Sequence, residues 1–72
     1  MTNANHYPES DPRHHTLKIK SMLQQSISHV RGDIGKTRDP KAQALFETTA
    51  EVLNGLVTAY EHFEKRSEDA WK

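Results

Sequence analysis

A short segment, Gly35-Lys36-Thr37-Arg38-Asp39-Pro40, separates two stretches with helical apolar periodicity. Glycine ends helices readily because it adopts the left-handed conformation without steric cost, so Gly35 is expected to be left-handed. Asp39 and Pro40 are typical first residues of a helix, since aspartate accepts unpaired N–H groups and proline has its φ already set. Because so short a turn forces its flanking helices to run antiparallel, an all-α helical hairpin is predicted.

The first helix is predicted over residues 12–34, after a flexible arm of residues 1–10 that shows no periodicity. Together with the turn at 35–39 and the second helix, it forms one hairpin domain over residues 11–72. The apolar residues of the first helix recur every three or four positions and are Ile19, Leu23, Ile27, Val30 and Ile34. A stripe this narrow is typical of a helix that packs against one or two neighbours.

The second helix is predicted over residues 40–70, which makes it longer than the first, and its apolar surface is much wider. Two lines of residues can be drawn along it. We name them the 45–63 line and the 46–60 line. The first comprises Leu45, Thr49, Val52, Leu56, Ala59 or Tyr60, and Phe63, and the second comprises Phe46, Ala50, Leu53, Val57 and Tyr60. One line can face the first helix, and the other then needs a second partner.

The predicted core draws on both lines of the second helix, through Leu45, Val52, Leu53, Leu56, Val57, Tyr60 and Phe63. The residues assigned to a dimer interface are Phe46, Leu53, Val57, Tyr60 and Trp71.

The register of the hairpin follows from its turn. If the turn centres near Thr37, Leu17 lies near Val57, and the second helix runs beyond the first after Phe63. Gly55 either lets another helix approach closely or is merely tolerated.

The chain has 72 residues, of which 33% are hydrophobic, and it has no cysteine. A domain of this size buries too little surface to be very stable by itself, and here no disulfide can compensate. The remaining sources of stability are a metal, oligomerisation or a larger partner. We therefore expect a homodimer in which two hairpins form an antiparallel four-helix bundle.

Charge is unevenly distributed although the formal net charge is zero. Residues 13–41 carry seven basic and two acidic side chains, whereas residues 42–72 carry three basic and six acidic ones. This pattern favours neutralisation between the two helices. Nucleic-acid binding is not favoured, because the first helix has no aromatic residue for base stacking. The chain has neither a membrane-spanning segment nor a secretory signal, so a cytoplasmic location is expected.

Histidine is frequent, with five residues in the chain. The register above brings four possible ligands to the open end of the hairpin: His14, His15, Glu61 and His62. Imidazole and carboxylate groups are zinc ligands, so a metal site is an alternative to ordinary surface histidines. A ferritin-like iron site is a further alternative, but its Glu-x-x-His motif is missing from this sequence.

No nucleophile motif or glycine-rich phosphate loop is present, and catalysis is not expected. The sequence therefore predicts a small non-catalytic interaction protein, such as an adaptor, regulator or assembly factor, that acts as a homodimer. Another protein could also bind helix 2 or the C-terminal tail. A metal-binding bundle is the alternative function.

Overall fold

The computed structural model describes residues 7–69, with side chains over residues 7–65. Two helices, α1 (Pro12–Ile34) and α2 (Pro40–Asp69), pack against each other as a hairpin, which confirms the predicted helical hairpin. The molecule is flat, with dimensions of 50 × 28 × 17 Å. Two helices side by side form a single layer, so the hairpin presents two broad faces.

Helix α2 begins at Pro40, as the sequence predicts, and α1 begins at Pro12 after an aspartate of the same kind. Asp11 caps α1 by accepting a 2.9 Å hydrogen bond from the Arg13 backbone N–H, and Pro12 follows. Asp39 caps α2 in the same way, accepting a 3.0 Å bond from the backbone N–H of Lys41. Each cap satisfies a donor that has no partner within its helix.

The end of α1 differs from the prediction at Gly35. This residue has φ −76° and ψ −8°, so it is right-handed, and no described glycine has a positive φ. The carbonyl groups at the end of α1 and in the turn accept hydrogen bonds from a side chain of α2 instead. The side-chain amide of Gln43 donates to the Thr37 carbonyl at 2.9 Å and to the Ile34 carbonyl at 3.4 Å. A side chain of α2 thus replaces the left-handed glycine as the cap of α1.

The 46–60 line of α2 faces α1. Ala50 is fully buried and Val57 is 6% exposed, while Phe46, Leu53 and Tyr60 are half-buried. From α1, the contact face is formed by half-buried residues: Leu23, Ile27, Val30 and Ile34. Among the described side chains, Ala50 and Val57 are the only buried apolar ones. The hairpin by itself therefore has a very small core.

Several residues of the predicted core are exposed in a single chain. Ile19 of α1 is one, and the large members of the 45–63 line are the others: Leu45, Val52, Leu56 and Phe63. The two lines of α2 are only one residue apart, so they lie about 100° apart around the helix. Once α1 covers the 46–60 line, the 45–63 line is left facing solvent.

Candidate functional site

An apolar face on one side of the hairpin is the most prominent surface feature of the described residues. The exposed large hydrophobic side chains are Ile19, Met22, Leu45, Val52, Leu56 and Phe63. Met22, Leu45 and Val52 are the most exposed, at 64%, 62% and 58%. The four from α2 belong to the 45–63 line, whose 4-3-4-3-4 spacing is that of a coiled-coil seam.

A shallow cavity lies where α1 meets the Phe63 end of the 45–63 line. Thr16 of α1 and Ala59, Tyr60 and Phe63 of α2 line a cavity of about 300 Å³. Ile19 follows Thr16 by three residues and Met22 follows Ile19 by three, so these residues form a continuous row along α1. We call the 45–63 line, together with Ile19 and Met22, the apolar face.

Four of the five residues assigned to the dimer interface lie elsewhere. Phe46, Leu53, Val57 and Tyr60 belong to the line that packs against α1 within the chain. Val57, at 6% exposure, has almost no surface left for a partner. Trp71, the fifth, lies outside the described residues. The sequence left open which line faces α1, and in the structure it is the 46–60 line.

The residues predicted to bind a metal are not brought together. His14 Nδ1 lies 2.8 Å from the Tyr7 carbonyl oxygen, and His15 Nε2 lies 2.8 Å from that of Glu9. Since a carbonyl only accepts, each of these nitrogens donates to it. Glu61 and His62 are exposed on α2. Over residues 7–65, no three histidine or acidic side chains are grouped so as to hold a metal ion.

The histidines instead connect the end of the N-terminal arm to α1. Besides these two bonds, the guanidinium of Arg13 stacks over the Tyr7 ring, 4.3 Å from its centroid. Arg13 also forms a 2.7 Å ion pair with Asp11. Hydrogen bonds from Arg13 hold the pKa of the Asp11 carboxyl below its usual value. Residues 7–10 therefore fold back on the first turn of α1, whereas residues 1–6 of the predicted flexible arm lie outside the described part.

Glu64, rather than Glu61, is the carboxylate that contacts α1. It accepts a 3.0 Å hydrogen bond from the Thr16 hydroxyl and pairs with Lys20 at 2.7 Å. The predicted register, in which α2 runs free beyond Phe63, is wrong at this point. Helical side chains lean toward the N-terminus of their own helix. In antiparallel helices Lys20 and Glu64 therefore lean toward each other and meet between their backbone levels.

Neither described helix has an apolar stretch long enough to cross a membrane. Comparison with protein-family models, curated proteins and solved structures finds no match for this chain.

Proposed function

We propose that this protein is a small non-catalytic interaction module that acts as a homodimer, with the apolar face of each hairpin packed against the other. The observation that carries the proposal is the contrast between exposed and buried residues. Six large hydrophobic side chains are exposed, four of them on the 45–63 line, whereas only Ala50 and Val57 are buried among the described apolar residues. A soluble chain normally covers an apolar face of this kind with a partner.

The size of the face suits a second hairpin. The 45–63 line is about 27 Å long at ~1.5 Å per residue, and two helices side by side are about 20 Å wide. A flat rectangle of these dimensions has an area of roughly 500 Å² per copy, and protruding side chains add to it. A dimer therefore buries about 1,000 Å² or more in total. This is close to the lower limit for specific protein interfaces.

Light scattering coupled to size exclusion tests the proposal directly. We expect a mass near twice the 8.3 kDa of one chain, unchanged by a chelator. A monomer at micromolar concentrations would overturn the proposal. A dimer that dissociates in chelator would favour the metal-binding alternative, in which a metal completes the bundle.

A matched pair of substitutions identifies the face. Leu56→Glu places a charge on the apolar face and is expected to abolish the dimer, because burying an unpaired carboxylate is very costly. Asn54→Glu adds the same charge two residues away, on the opposite side of α2, where Asn54 is exposed. The Asn54→Glu protein is expected to stay dimeric. Equal loss of the dimer in both variants would contradict the assignment.

A further inference from the structure

We infer that the second copy docks with its α2 antiparallel to α2 of the first, with a twofold axis at the level of Asn54. This inference rests on the proposed homodimer and specifies its geometry. It starts from the 45–63 line, whose members are arranged symmetrically. Leu45 and Phe63 are equally far along the chain from Asn54, and the same holds for Thr49 and Ala59 and for Val52 and Leu56.

A symmetric line of this kind fits an isologous interface, in which every contact occurs twice, once on each side of the twofold axis. In the proposed register, Thr49 lies opposite Ala59 of the second copy, and Val52 lies opposite Leu56. Two small residues meet in one layer and two aliphatic residues in the next. From Leu45 to Phe63 the line contains no charged residue, so the helices can approach without burying a charge.

The cavity beside Phe63 gives Leu45 of the second copy a place to pack. Its lining is formed by Thr16, Ala59, Tyr60 and Phe63, and it opens on the apolar face. Leu45 itself is 62% exposed in a single chain. Because Leu45 lies opposite Phe63 in this register, each copy inserts one leucine next to the cavity of the other.

The alternative dimer places α2 of one copy on α1 of the other at the same level. That arrangement sets Leu45 against the part of α1 nearest the turn, where Ser26 and His29 are exposed and polar. The exposed apolar residues of α1, Ile19 and Met22, lie level with the middle of the 45–63 line and leave Leu45 without an apolar partner. Packing α2 on α2 buries the whole 45–63 line against apolar surface, which is why we favour it.

Disulfide trapping distinguishes these arrangements, since the natural chain has no cysteine. We expect Thr49→Cys/Ala59→Cys to form covalent dimers under mild oxidation. The two sites are about 15 Å apart along one helix, too far for a bond within a chain. Each single variant is the matched control and should remain uncrosslinked. Leu45→Cys/Phe63→Cys provides a second pair at the ends of the line.

The outcomes separate this inference from the proposed function. A wild-type dimer whose double variants do not crosslink, or crosslinking by the single Thr49→Cys variant, would overturn the antiparallel register but leave the homodimer intact. A monomeric wild-type protein would overturn both. If the cysteine pairs disturb folding, Leu45→Ala gives an independent measurement. It should raise the dimer dissociation constant at least tenfold because two leucines are lost per dimer, whereas the exposed Glu47→Ala should leave the constant unchanged.

Discussion

Lys20 Nζ lies 2.7 Å from Glu64 Oε1, and this ion pair joins α1 to α2 near the open end of the hairpin. Both side chains are largely shielded from solvent, and Thr16 donates a further hydrogen bond to the other Glu64 oxygen. The pair therefore combines charge attraction with well-formed hydrogen bonds. Such a pair contributes more than a fully exposed one.

We predict that Glu64→Gln lowers the free energy of unfolding by about 1–2 kcal/mol, because it removes the charge that both Lys20 and Thr16 contact. Urea denaturation of Glu64→Gln, Lys20→Met and the double variant measures the coupling between the two residues. The exposed Glu61→Gln is the control and should have little effect. If the losses of unfolding free energy in the two single variants add up to the loss in the double variant, the ion pair does not contribute to stability.

Asp11 is expected to make the stability of the first turn of α1 depend on pH. Hydrogen bonds from Arg13 lower the pKa of this carboxyl, so the folded state favours the carboxylate. The stabilisation is therefore complete above the pKa of an unfolded aspartate, about 3.9, and is lost as the pH falls through the lower folded value. We predict that Asp11→Ala lowers the melting temperature at pH 7 and that the difference from wild type shrinks in acid. A difference that is constant from pH 7 to pH 2 would contradict this explanation.

Ala50 lies in the contact between the two helices, where it is the fully buried residue of the 46–60 line. We predict that Ala50→Leu lowers the free energy of unfolding by about 1–3 kcal/mol, since a larger side chain must push α1 away. Ala44→Leu makes the same change at an exposed position of α2 and should stay within about 0.5 kcal/mol of wild type. Thermal melts followed by circular dichroism compare the two. Equal effects would mean that Ala50 does not lie in the contact between the two helices.

Gly55 lies in the middle of α2, and a Cβ atom added there would meet nothing within 4 Å in the same chain. We predict that Gly55→Ala raises the free energy of unfolding by about 0.5–1 kcal/mol, because alanine favours the helix more than glycine does. Gly32→Ala, at an equally open position in α1, is the control. Destabilisation at Gly55 alone would instead show that a helix of the second copy approaches closely there.

Local signals in the sequence predict the helices well. The pairs Asp11–Pro12 and Asp39–Pro40 act on the residues directly after them, so the start of each helix can be read without knowing the fold. The cap supplied by Gln43 could not be predicted in this way. It depends on the position of its amide next to Ile34 and Thr37, which only the folded turn brings close.

The candidate site was predictable only in part. The excess of apolar surface on α2, and hence the need for a partner, follows from the composition of its two lines. Which line remains exposed does not, because Phe46 and Leu45 are neighbours in sequence and both lines have helical spacing. The predicted interface residues Phe46, Leu53 and Val57 accordingly proved to face α1.

The sequence by itself determined the all-helical hairpin, because capping, proline and the 3.6-residue repeat are local properties of the chain. The tertiary structure alone decided that Ala50 and Val57 face α1 and that Glu64 pairs with Lys20. The rotation of α2 about its own axis depends on the fit of small and large side chains between the helices. The ion pair depends on the opposite lean of side chains on antiparallel helices, which arises only when the two helices pack together.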